Sequence, residues 1–125
     1  MNYAIGEFSN ITKLSPPTLR YYEKEQLLIV SRDSAGRRFY TSEDIDWISF
    51  IKRLKDTGMS IKNIREYALL RYQGESTLEQ RLEILKKHRL AVVEEASNWK
   101  TNLLNLDEKI KIYQRKIASK ESNSC

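Results

Sequence analysis

Ser15-Pro16-Pro17-Thr18-Leu19-Arg20-Tyr21-Tyr22-Glu23 reads as the opening of a helix that turns polar side chains outward. Ser15 is a suitable N-cap, because its hydroxyl can accept from the unpaired N–H groups of the first turn. Pro16 suits the first helical position, where no N–H is missed and φ is already set. Leu14 before the cap and Leu19 inside the helix are placed to form a hydrophobic staple. Thr18, Arg20, Tyr21 and Tyr22 then lie close to a positive helix terminus, where phosphate binds readily. Leu19 points to a core and its neighbours cannot all follow it. The stretch also suits a plain surface helix with a partly buried tyrosine pair.

Upstream, Ile5, Phe8 and Ile11 recur at helical spacing, which predicts a short helix over residues 5–10. Thr12-Lys13-Leu14 makes the turn into the next helix, and two short helices so joined form a helix-turn-helix. Such pairs also occur as ordinary packing units. Downstream, Leu27-Leu28-Ile29-Val30 is a short apolar run, Ser31 to Gly36 is turn-rich, and Arg37-Arg38-Phe39-Tyr40 resumes an extended basic and aromatic pattern. This predicts a small β-hairpin, or wing. Arg32, Arg37 and Arg38 converge on its loop. They suit a solvated hairpin tip, or a wing gripping phosphates, to which arginine and tyrosine donors are matched.

Thr41-Ser42-Glu43-Asp44 is a capping box with Asp44 in the place of the more usual Glu. A helix is expected over residues 42–57, with Ile45, Ile48, Ile51 and Leu54 inward, Trp47 and Phe50 nearby, and Gly58 as its stop. Ser60 caps a further helix, in which Ile61, Ile64, Ala68 and Leu69 are expected to face the core. Lys62, in its first turn, is a candidate phosphate contact. Tyr72 to Glu75 closes the globular part.

After Ser76 the period changes. Leu78, Leu82, Leu85, Arg89, Val92, Ala96, Trp99, Leu103, Leu106, Ile110, Tyr113 and Ile117 are spaced by alternating steps of four and three. With Leu78 at d, only Arg89 interrupts an apolar a/d seam, and no Gly or Pro follows Glu75. A helix over residues 76–118 is roughly 60 Å long. A head of this size cannot cover it, so the seam predicts a second chain, a homodimer. Flanking charges of mixed sign do not set the pairing direction. The polar residues 119–125 are expected to be a flexible tail.

The 125 residues suffice for one compact domain, 1–75, and an accessory element. The net charge of +5 favours a polyanionic partner. Residues 1–75 hold 12 Lys/Arg against 10 Asp/Glu, a net of +2, so any basic surface there comes from placement. No apolar run reaches membrane-spanning length and no secretion signal opens the chain, so a cytoplasmic protein without a membrane partner is expected. Cys125 is the only cysteine and His88 the only histidine, so neither a disulfide, a Cys/His zinc cage nor a Cys-His nucleophile pair can form within one chain. No catalytic constellation, metal site or cofactor motif is present, and an enzyme is not expected.

Taken together, Ile5-Gly6-Glu7, Leu14-Ser15, Thr18-Leu19-Arg20-Tyr21-Tyr22-Glu23, Leu27-Leu28, Arg32, Gly36-Arg37-Arg38-Phe39-Tyr40, Asp44-Ile45 and Thr57-Gly58-Met59-Ser60-Ile61 resemble the MerR family of bacterial transcription regulators. The likeness covers about residues 3–72, and the long helix agrees with that family's dimerisation element. It implies a mostly α fold: a winged helix-turn-helix with a small β-hairpin wing, then a long C-terminal helix pairing as an antiparallel coiled coil. It implies a pseudo-palindromic operator in double-stranded promoter DNA, a distorted spacer, and RNA polymerase as functional partner. By analogy Ser15, Thr18, Arg20, Tyr21 and Tyr22 enter the major groove, while Arg37, Arg38, Tyr40 and Lys62 hold phosphates. Pro17 stands where members often carry a polar base-reading side chain, and Arg37 stands where the wing usually has Tyr. The length resembles the short branch of aldehyde- and thiol-stress regulators, but their sensing cysteine, near Lys52-Arg53-Leu54, is missing. The effector is left unassigned. Without the likeness, the long seam equally suits a coiled-coil adaptor whose N-terminal domain binds protein.

Overall fold

A computed structural model describes residues 1–122. The elements run β1 (Asn2–Tyr3), α1 (Ile5–Thr12), α2 (Pro16–Lys24), β2 (Ser31–Arg32), β3 (Arg38–Thr41), α3 (Ser42–Asp56), α4 (Ile61–Gln73), a 3-10 turn (Glu75–Thr77) and α5 (Leu78–Ser122). The fold is mostly helical with one small sheet and a long C-terminal helix, as the residue pattern implied. Two compact units are present, Met1–Lys86 and a second beginning at Lys87. The first thus reaches beyond the boundary expected at residue 75, because Ile84 and Leu85 pack on its core and Arg81 donates to Thr77 Oγ1 at 3.1 Å and to the Gly74 carbonyl at 3.2 Å. The helix expected to fray from Ser119 continues to Ser122; the rest of that tail, with Cys125, lies outside the described residues.

The helix ends follow the chemistry of their caps. Ser15 Oγ accepts from the Thr18 N–H at 3.3 Å, with Pro16 at the first helical position. Leu19 is buried and Leu14 partly so, as a staple requires. Thr41 and Asp44 form the reciprocal box: Asp44 Oδ2 accepts from the Thr41 N–H at 3.0 Å, and Thr41 Oγ1 from the Asp44 N–H at 3.4 Å. Ser60 Oγ accepts from the Asn63 N–H at 3.1 Å and starts α4.

The three-stranded antiparallel sheet has the order β1-β3-β2, with Tyr3 opposite Tyr40 and Arg32 opposite Arg38. β1 had no signal of its own in the sequence. The core lies between the helix-turn-helix, β3 and the α3–α4 pair. Phe8, Leu19, Leu27, Ile48, Ile51 and Ile64 are fully buried there. Each such side chain contributes about 1.5–3 kcal/mol over an exposed position. Trp47 ties the halves together: its Nε1–H donates to the Leu27 carbonyl at 2.8 Å, its ring stacks on Tyr67 at 5.9 Å, and the Arg71 guanidinium lies 4.3 Å from the ring centre. Leu69, expected in the core, is 62% exposed, because Ile64, Tyr67 and Ala68 already present the inward stripe of α4.

Candidate nucleic-acid interface

The N-cap and first two turns of α2 present Ser15, Thr18, Arg20 and Tyr21. The Ser15 and Thr18 hydroxyls lie 2.9 Å apart and hold each other in place. Arg20 and Tyr21 are exposed, and Arg20 has no ion-pair partner among the described residues. Tyr22 departs from the expected DNA-contact set. Its spacing of three from Leu19 puts it on the core face, where it is 2% exposed and its hydroxyl accepts from Lys55 Nζ at 3.3 Å.

The wing is built by Asp33. One carboxylate oxygen accepts from the Ala35 and Arg37 N–H groups, both at 2.9 Å, and the other pairs with Arg37 Nε at 3.2 Å. The backbone N–H of Arg37 is the main cause that holds the Asp33 carboxyl below the usual carboxylate range. Gly36 closes the turn at φ 80°, a left-handed conformation that L side chains disfavour. Arg37 stands at the tip with its side chain 79% exposed. Arg38 is drawn inward, its Nε donating to Glu23 Oε1 at 3.0 Å.

Tyr40 is the second correction to the expected contact set. Alternation along β3 turns it inside, fully buried and stacked on Phe8 at a centroid distance of 4.3 Å, so its hydroxyl cannot meet a phosphate in this conformation. Burial pushes its pKa up. Lys62 is exposed in the first turn of α4, beside a groove of about 390 Å³ floored by Leu28, Ile29 and Leu69. Two residues of this region carried no expectation as site residues, Asp33 and Glu23. A turn-forming Asp ahead of Gly36 was a usable signal; Glu23 gave none, because its partners lie across the wing.

Along α5, the expected seam residues Leu78, Leu82, Trp99, Leu103, Leu106, Ile110, Tyr113 and Ile117 are all about half exposed or more. Arg89 and Ala96 are exposed as well, and Val92 is half-buried. Leu85 differs, being partly covered by the core of its own first unit. Leu90, Val93 and Leu104 widen the apolar surface outside the a/d positions. Among the described residues no helix is long and apolar enough to cross a membrane, and no cluster of His, Cys, Asp and Glu is placed to hold a metal.

A helix pair whose second member bares a polar, arginine-bearing N-terminal half, flanked by an arginine-tipped β-wing, defines a winged helix-turn-helix DNA-binding protein. The model of the MerR HTH family regulatory protein matches residues 3–70, and that of the MerR DNA-binding region matches residues 45–108. The chain belongs to the MerR family and is a DNA-binding transcriptional regulator of that type. It is similar to an HTH-type transcriptional regulator of Haemophilus influenzae, 35% identical over 92% of this chain and 86% of that protein. It is also similar to the crystal structure of HiNmlR, a MerR family regulator lacking the sensor domain, bound to promoter DNA. That match has 35% identity and a TM-score of 0.83, and covers 94% of each chain. A MerR family regulator from Listeria monocytogenes matches with 34% identity and a TM-score of 0.91, over 96% of this chain and 92% of that one.

Proposed function

We propose that two copies pair through α5 as an antiparallel coiled coil and bind a pseudo-palindromic promoter operator in the cytoplasm, distorting the spacer between its halves for RNA polymerase. The observation that carries the pairing is the apolar seam of α5, exposed at positions such as Trp99, Leu103 and Ile110. Contiguous apolar surface of this kind is ordinarily covered. Ser15, Thr18, Arg20 and Tyr21 form the groove-facing set, and Arg37 and Lys62 the phosphate set. HiNmlR, similar over nearly the whole chain, is described as bound to promoter DNA, and that supports the same partner here. Two heads held by one rod define a half-site spacing, and bending the duplex between them extends specificity to base pairs neither head touches.

Footprinting on the DNA upstream of the protein's own gene tests the proposal. Two symmetric protected half-sites are expected. Arg20→Ala should weaken binding to that duplex by about tenfold or more while leaving the melting temperature near wild type. Binding indifferent to sequence, or an Arg20→Ala chain that no longer folds, would overturn it.

A further inference from the structure

Glu23 lies in the last turn of α2, and two arginines of the wing meet on its carboxylate. Oε1 accepts from Arg38 Nε at 3.0 Å and stands 3.6 Å from a terminal nitrogen of Arg32. Arg32 and Arg38 are direct cross-strand partners on β2 and β3. Two guanidinium groups facing each other across an antiparallel pair repel. The carboxylate between them converts that repulsion into a bridge of three charges, partly shielded, with the Glu23 side chain 23% exposed and that of Arg38 31%.

We propose that Glu23 is a positioning residue for DNA recognition: it clamps the wing to α2 and so sets the offset between the groove-facing side chains and the phosphate grip of Arg37. The proposal rests on the reading that α2 and the wing contact one duplex together. Arg38 and Arg32 then act as struts, and Arg37, exposed at the tip and paired with Asp33, is the wing's phosphate ligand. Phosphate contacts fix register and base contacts read sequence. A wing released from α2 still attracts backbone but no longer holds the two in register. Specificity therefore falls while non-specific binding does not.

The test uses the full chain, the footprinted duplex and an unrelated duplex of equal length, with affinities measured at several salt concentrations and melting curves recorded alongside. Glu23→Gln should weaken the footprinted duplex roughly three- to tenfold, leave the unrelated duplex unchanged or tighter, and leave the salt slope as it was. Arg38→Gln should act in the same direction, and the double variant should be no worse than Glu23→Gln alone, since both substitutions break the Glu23–Arg38 contact. Should Glu23→Gln fail to fold, Arg38→Gln decides alone, because it breaks the bridge from the strand side. A specificity ratio equal to wild type, even with a lowered melting temperature, marks a brace for stability only and overturns the proposal. So does a salt slope reduced by about one in Arg38→Gln, which makes Arg38 a direct phosphate ligand. Failure of the underlying reading shows elsewhere, as wild-type affinity in both Arg20→Ala and Arg37→Ala.

Discussion

Tyr40 shows how far a single side chain departs from what its neighbours suggest. It follows two wing arginines, yet it is fully buried on Phe8, and its hydroxyl has no hydrogen-bond partner among the described residues. An unpaired buried hydroxyl costs about 1–3 kcal/mol. Tyr40→Phe keeps the ring and removes that cost, so its melting temperature should rise by a few degrees with DNA affinity unchanged. Burial also raises the pKa of this hydroxyl, and that of Tyr72, whose oxygen accepts from the Ile29 N–H at 3.1 Å. The folded state therefore favours the neutral phenol. That contribution is intact below about pH 10, the ordinary tyrosine value, and is lost as pH climbs through the raised folded values. Wild-type protein should lose stability from about pH 10 upward, and Tyr40→Phe should show a shallower loss in melts recorded across that range. An unchanged alkaline profile would remove Tyr40 from the account.

At the scale of elements, α2 and α3 end in the same way with opposite residue chemistry. After α3, Gly58 takes φ 91°, its N–H donates to Lys55 at 3.0 Å, and the Met59 N–H donates to Leu54 at 2.9 Å. After α2, Gln26 takes φ 64°, with equivalent bonds to Glu23 at 3.1 Å and from Leu27 to Tyr22 at 2.9 Å. Both are Schellman motifs, which favour glycine at the left-handed position. A Cβ on Gly58 would meet nothing within 4 Å, so Gly58→Ala should cost only the backbone term, about 1 kcal/mol. Gln26→Gly should gain about 0.5–1 kcal/mol, and thermal denaturation of the pair should show shifts of opposite sign. The comparison also explains what could be read beforehand. Ser15, the Thr41–Asp44 box, Gly58 and Ser60 act through bonds to backbone a few residues away, so the chain itself displays them. Gln26 carries no turn signal, and β1 exists only because β3 is beside it. Of the site, the exposed Arg20, Tyr21, Arg37 and Lys62 followed from local pattern. The inward turn of Tyr22 and Tyr40 and the bridge at Glu23 depend on elements brought together by folding.

The behaviour of the whole molecule depends on what covers α5. Leu103, 58% exposed, falls at an a position within the seam and belongs to the second unit. In the proposed dimer a carboxylate buried at this position would have no partner to offset its desolvation, so Leu103→Glu should shift the protein from dimer to monomer. Light scattering should read twice 14.8 kDa for wild type and about that mass for the variant. The first unit keeps its own core, so the variant's heads should remain folded and able to touch single half-sites. Joined heads bind the second half-site as an intramolecular event, which raises overall affinity by about a hundredfold or more. That factor should vanish in Leu103→Glu. Adding half a turn of duplex between the half-sites should remove it equally from the DNA side, since the two sites then face opposite ways on the helix. A variant that stays dimeric would refute the a/d assignment. A monomer that grips the full operator as tightly as wild type would mean that each head reads DNA alone, leaving the seam to a different partner.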